Sequence, residues 1–211
     1  MEIVLNCTNF VQNLNKMATI TDLTQLDLDK QYTYADYLKW QFSERVELIK
    51  GFIKKMSPAP NRVHQTILFN FTLLIGIHRG EDTCKMFFAP FDVRLPVQTK
   101  RKNSTVVQPD FCIVCDASKL DDQGCNGAPD LIVEILSPSN ARHDTDTKFN
   151  LYEEAGVKEY WIVQPQQKSI LIYVLQDGKY IGLKPFGEDE FAQGRLFPNL
   201  KIDVHEVFAN V

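Results

Sequence analysis

Residues 129–163 read PDLIVEILSPSNARHDTDTKFNLYEEAGVKEYWIV, and the order of elements in this stretch decides the fold. Asp130 to Leu136 is an apolar run of strand length, broken by a single carboxylate, Glu134. Ser137-Pro138-Ser139 stops it, because proline has no N–H for a ladder and turns its predecessor away from helix. Asp144, Lys148 and Tyr152 then recur at i, i+4 and i+8, which puts them on one face of a helix. Gly156 suits the left-handed position after a helix, and Glu159 to Val163 reads as another strand. A charge inside an apolar strand is costly unless it is paired or binds a metal, so Glu134 is the first pointer to function.

Outward from this stretch, 211 residues suffice for one domain with a substantial core. A net charge of −4 excludes a bulk polycation, so any contact with nucleic acid needs a local basic patch. The start of the chain lacks a basic segment followed by a long apolar one, and nothing approaches a membrane span. The expectation is a cytoplasmic protein with its five cysteines reduced. Cys112 and Cys115 lie in a strand-like run, FCIVC, where positions three apart face opposite ways, so they do not make half a zinc site. Apolar packing is the expected role of both.

Residues 1–30 show no clear periodicity and read as a loosely attached N-terminal arm, with the domain spanning 31–211. Thr33-Tyr34-Ala35-Asp36 resembles a capping box opening a helix through Phe42. RVELIK and FIKKMS form a hairpin around Lys50-Gly51, and Pro58-Ala59-Pro60 breaks the chain before a helix from Asn61 to Gly80. Its Ile67, Phe71, Leu74 and Ile75 fit helical spacing and should pack on a sheet. Strands follow at about 85–89, 91–95 and 106–114. After a loop over 116–128 and the opening stretch, a hairpin turns at Asp177-Gly178 and a short strand or helix spans 200–208. The fold class is mixed α/β, with one central sheet, and not a regularly alternating doubly wound fold.

Two Pro-Asp pairs, Pro109-Asp110 and Pro129-Asp130, compete as partners for Glu134. Asp130 shares its strand, and four residues at about 3.3 Å each separate them by roughly 13 Å, too far for one small cation. Asp110 lies in another strand-like run, VVQPDFCIV, and neighbouring strands are about 4.8 Å apart. Asp110 and Glu134 therefore converge if those strands pair. A lysine at position 136 would share the face of Glu134, but Leu136 stands there, and the nearest downstream cation on a folded-back helix is Lys148.

These residues carry a resemblance. PDLIVEILSPS…D…K…LY…AGVKEYWIV, preceded in order by VELIKG, MSPAPNRVHQ and VVQPDFCIV, is similar to a large bacterial family of restriction-endonuclease-like proteins within the PD-(D/E)xK nuclease superfamily. It covers roughly Thr33 to the C-terminus. The resemblance implies a restriction-endonuclease-like core, with a central mixed sheet flanked by helices, and a metal-dependent endonuclease acting on DNA. Asp110 and Glu134 would hold Mg²⁺ or Mn²⁺, with the Ile135 carbonyl as a further ligand. Lys148 would stand in for the lysine missing at Leu136, and Glu47 of VELIKG would add an acidic group. A homodimer would suit cutting of both strands.

Each residue also has a plain structural alternative. Asp110 can cap a strand, Glu134 can pair with Lys148, and Asp144 with Lys148 can be an ordinary helix pair worth about 0.2–0.5 kcal/mol. Glu47 can lie on a solvated hairpin face. His64 reads as a packing or surface residue, and His78, His143 and His205 lack metal-ligand spacing. Lys54-Lys55, Lys100-Arg101-Lys102 and Arg142 read as solvated surface or phosphate contacts. Two rival functions remain: a non-catalytic nucleic-acid-binding or assembly module that keeps the fold, and an enzyme acting on RNA or branched intermediates.

Overall fold

The computed structural model describes residues 19–56, 61–78, 83–98, 104–137 and 143–211. Proline breaks and turn residues set the boundaries of most elements. In chain order these are α1 (Tyr34–Tyr37), β1 (Val46–Ile49), β2 (Phe52–Lys55), α2 (Arg62–His78), β3 (Lys85–Phe88), β4 (Val93–Arg94), β5 (Val106–Val107) and β6 (Phe111–Val114). Then come β7 (Leu120–Asp121), β8 (Gly124–Asn126), β9 (Leu131–Ile135), α3 (His143–Ala155), β10 (Glu159–Gln164), β11 (Ser169–Gln176) and β12 (Lys179–Gly182). The chain closes with β13 (Phe191–Ala192), β14 (Ile202–Asp203) and α4 (Val204–Val207).

The central mixed sheet has the order β12-β11-β10-β9-β6-β3. Its parallel pair, β9 with β10, is joined through α3, and β6 and β11 flank it antiparallel. Alternation sorts the two faces. Phe111, Ile113, Leu131, Val133, Trp161 and Val163 pack with Ile67, Phe71 and Ile75 of α2. Cys112, Val114, Ile132, Tyr160 and Ile162 pack with Leu151, Tyr152 and Ala155 of α3 and with a second sheet. That second sheet, ordered β2-β1-β5-β4-β8-β7, is a separate layer where the sequence pattern predicts one central sheet. The architecture is mixed α+β with a restriction-endonuclease-like core.

Local chemistry explains the turns. Lys50 and Gly51 both have positive φ, 52° and 91°, as a two-residue turn of the hairpin type requires. The box at α1 is complete, with Thr33 and Asp36 bonding each other's backbone N–H, but the helix ends at Tyr37 rather than Phe42. The larger correction concerns residues 106–114. They form two strands in different sheets, because Pro109 cannot donate to a ladder and the chain crosses from β5 to β6 at Gln108-Pro109-Asp110.

Cys115 also departs from expectation. It forms a disulfide with Cys84, because β3 and β6 pair antiparallel with Lys85 opposite Val114, so the next register position sets the two cysteines face to face. Cys112 and Cys125 are buried free thiols. Within the segment read as an arm, Ile20 bridges to Trp40 and Leu23 is buried, while residues 1–18 lie outside the description. So do the Pro58-Ala59-Pro60 break, Lys100-Arg101-Lys102, Arg142 and the side chains of His78, His143 and Asp144. Among the described residues no helix is long and apolar enough to cross a membrane.

Candidate active site

β6 and β9 are direct neighbours, with Phe111 opposite Val133. One register step further sets Asp110 opposite Glu134, at the end of the sheet where the chain enters from β5. The Ile135 N–H donates to Asp110 Oδ2 at 2.8 Å and fixes that carboxylate against β9. Asp110 and Glu134 thus come together. Asp130 stays apart: it accepts from the Cys115 N–H at 2.7 Å and from Lys158 Nζ at 2.7 Å, a strand-start anchor.

Lys148 arrives from α3, which folds back over the even-numbered face of β9. Its Nζ lies 2.9 Å from Glu134 Oε1 and 3.2 Å from Glu47 Oε1. Tyr152, one helical turn on, donates to the same Glu134 oxygen at 2.6 Å. Glu47 comes from β1 of the second sheet and is buried rather than solvated, with Oε1 also accepting from the Gln108 N–H at 3.0 Å. All four residues named from the sequence therefore border one place, where the two sheets and α3 meet.

Burial sets the electrostatics. It is the main cause lifting the Glu134 carboxyl to about 7, and the Asp110 and Glu47 charges push the same way against the pull of Lys148. Burial also works against the Lys148 ammonium, but the Glu134 and Glu47 carboxylates outweigh it and hold that pKa well above the usual lysine value. Lys148 therefore keeps its charge beside these carboxylates. Tyr152 is pushed well up, by burial first and then by the Glu134 charge, and acts as a neutral donor.

His64 is the residue that the sequence did not assign to the site. Its Nε2 lies 3.1 Å from Asp110 Oδ2, and its N–H is capped by Asn61 Oδ1 at 2.9 Å in the first turn of α2. Burial opposes its charged form, yet the Asp110 bond and charge win and raise its pKa. Its Nδ1 is buried without a partner among the described residues. Tyr152, by contrast, carried a signal in its shared helix face with Lys148.

Among the described residues no group of three His, Cys, Asp or Glu side chains is arranged to hold a metal ion. What the site offers is two carboxylates at opposed register positions. In each, one oxygen takes the bonds given above, Asp110 Oδ2 and Glu134 Oε1. The donors are hard oxygens, which suit a hard divalent cation that keeps most of its waters and binds through one or two carboxylates. A cleft of about 260 Å³, lined by Ile49, Phe52, Lys54 and Thr147, opens on the Glu47 and Lys148 side of the site.

The mixed sheet flanked by helices is the class of fold that the restriction-endonuclease-like resemblance implies. Residues 34–205 match the model of the Uma2 family, described as "Putative restriction endonuclease", and the chain belongs to that family. Two uncharacterised proteins of Synechocystis are similar. One (sll1609) is 28% identical over 139 residues, 64% of this chain and 75% of its own length. The other (slr1290) is 24% identical over 173 residues, 80% of this chain and 88% of its own length. A crystal structure from Anabaena variabilis, titled a "putative nuclease belonging to DUF820", superposes with a TM-score of 0.61 at 18% identity, covering 84% of this chain and 98% of that one. At that identity the likeness speaks for the fold.

Proposed function

We propose that the protein is a metal-dependent endonuclease that hydrolyses phosphodiester bonds, with DNA as its substrate and Mg²⁺ or Mn²⁺ as its cofactor. The observation that carries this reading is the meeting of Glu134 and Glu47 at the Lys148 ammonium, with Asp110 fixed at the register position opposite Glu134. Family membership supports it independently. The residues fit a hard cation in donor chemistry, and Asp110 and Glu134 would hold it. When bound, such an ion would polarise the phosphate and lower the pKa of a coordinated water.

The protein's own groups supply the rest. His64 and the Ile135 N–H hold the Asp110 carboxylate in place. Glu47 and Tyr152 fix the cation–carboxylate pair of Lys148 and Glu134 from either side. The charged Lys148 would then donate to the attacking water or to the negative charge that develops on the phosphate. In-line attack leaves a 5′-phosphate and a 3′-hydroxyl. A homodimer would bring two such sites to opposite strands.

The test is a panel of supercoiled, linear, single-stranded and branched DNA and of RNA, incubated with Mg²⁺ or Mn²⁺ beside the Asp110→Ala protein. Metal-dependent cleavage lost in that variant is expected. No turnover of any substrate, or cleavage that survives both Asp110→Ala and Glu134→Ala, overturns the reading. Metal-independent binding without cleavage would mark a non-catalytic module.

A further inference from the structure

Arg45 is a charged group beside this site that the mechanism leaves unused. It precedes β1, and the Met56 N–H to Arg45 carbonyl bond at 2.9 Å carries the β1–β2 ladder through it. Its backbone is therefore extended, and Arg45 projects to the same side as Glu47, two residues on. The Gln108 side-chain oxygen accepts from Arg45 Nε at 3.3 Å and from Nη2 at 2.9 Å. Gln108 Nε2 donates in turn to Asp92 Oδ1 at 2.9 Å and to the Tyr37 hydroxyl at 3.2 Å, which fixes the amide's direction. The backbone N–H of the same Gln108 anchors Glu47. One residue thus aims the guanidinium and braces the carboxylate beside Lys148.

The choice of partner is informative. Among the described residues no carboxylate lies within ion-pairing distance of Arg45, although three stand at the adjacent site. The half-buried guanidinium is held by a neutral amide and not by a counter-charge, and among the described residues only two of its five N–H donors are engaged. A planar fork with donors to spare next to paired carboxylates suits a phosphate diester, which it can grip through two parallel bonds.

We propose that Arg45 is a phosphate-binding residue, preset by Gln108, that seats a backbone phosphate of the nucleic acid beside Asp110 and Glu134; the role rests on the nuclease reading of this site. Each phosphate contact removed lowers the slope of log affinity against log salt by about 0.9 for duplex DNA. The test is fluorescence anisotropy of a fluorescein-labelled DNA duplex titrated with the full chain, without metal, across a salt series. Arg45→Met keeps the aliphatic stem, and Arg45→Gln keeps a donor for Gln108. Melting curves establish which of the two is folded.

The expected result is a slope lowered by about one in whichever variant folds, with similar weakening on unrelated sequences, and a slope near the wild-type value in Arg45→Lys. A wild-type slope in folded Arg45→Met or Arg45→Gln overturns the proposal, as does a wild-type protein with no metal-free affinity for the duplex. The two readings fail separately. Slope loss in a protein that cleaves nothing keeps the phosphate seat and removes the nuclease. Cleavage abolished by Asp110→Ala with wild-type binding in the Arg45 variants does the reverse.

Discussion

Lys148 Nζ lies 2.9 Å from Glu134 Oε1, although the two residues are fourteen positions apart and belong to different elements. The strand position that would place a lysine on the face of Glu134 holds Leu136, which packs against the apolar cluster of that face. The cation reaches the carboxylate from α3 instead, and it meets Glu47 on the way. A helix can supply it because α3 crosses back over the strand that it follows, and because the lysine stem buries its methylenes while its head meets charge.

Removing that cation should harm stability and turnover together. In Lys148→Met the stem volume is kept, but Glu134 and Glu47 lose their shared counter-charge in a buried place. Breaking a buried pair from one side costs about 3–5 kcal/mol, so urea denaturation should show a loss of that order. Cleavage should fall by roughly 10²–10³, the scale of one lost electrostatic donor. A variant as stable as wild type would show that solvent reaches these carboxylates freely.

Asp110→Asn separates chemistry from folding. The amide oxygen can still accept from the Ile135 N–H, which bonds the carboxylate at 2.8 Å in the wild type, so the strand end should hold. Stability should change by no more than about 1–1.5 kcal/mol, the net worth of a hydrogen bond, while metal-dependent cleavage drops to background. A marked fall in melting temperature with cleavage retained would make Asp110 a structural anchor only.

The parts of this site that a linear reading could find are those with local signatures. Glu134 stands out as a charge in an apolar strand, Lys148 and Tyr152 share a helix face, and Lys50-Gly51 marks the hairpin that carries Glu47. His64 had no such mark, because its partner Asp110 is forty-six residues away and the contact exists only once α2 lies on the sheet. The run VVQPDFCIV reads as one strand by its apolar residues. It is two because Pro109 ends the ladder of one sheet as the next begins, and that joint is what frees Asp110 to face Glu134. Cys84 and Cys115 likewise meet only through the β3–β6 register.

Tyr152→Phe tests how far Glu134 depends on its neutral donor. The variant removes the 2.6 Å bond to Oε1 and leaves the ring in its place among buried residues. A hydrogen bond to a charged group contributes about 1.5–3 kcal/mol, so the protein should lose about that much stability and remain folded. Cleavage should fall less than in Lys148→Met, because the ammonium still holds the carboxylate. Equal losses in the two variants would mean that Tyr152 touches the reacting groups itself.

Glu153 gives the fold a pH dependence away from the site. It joins α3 to the β11–β12 hairpin, accepting from Lys179 Nζ at 2.8 Å and from the Tyr180 N–H at 2.7 Å. The lysine bond first, and then the backbone N–H, hold its carboxyl below the ordinary glutamate value of 4.5. A group whose folded pKa is depressed stabilises the protein above its unfolded value, and that contribution is lost as the pH falls through the folded one. Glu153→Gln should therefore be less stable than wild type at neutral pH. The gap should close as acid brings the pH below 4.5. Denaturation curves taken stepwise from neutral pH into acid measure it, and a gap that persists in acid would assign the effect to packing rather than charge. Because the clamp lies on the helix that delivers Lys148, the variant should also cleave more slowly near neutrality without a change in its metal requirement.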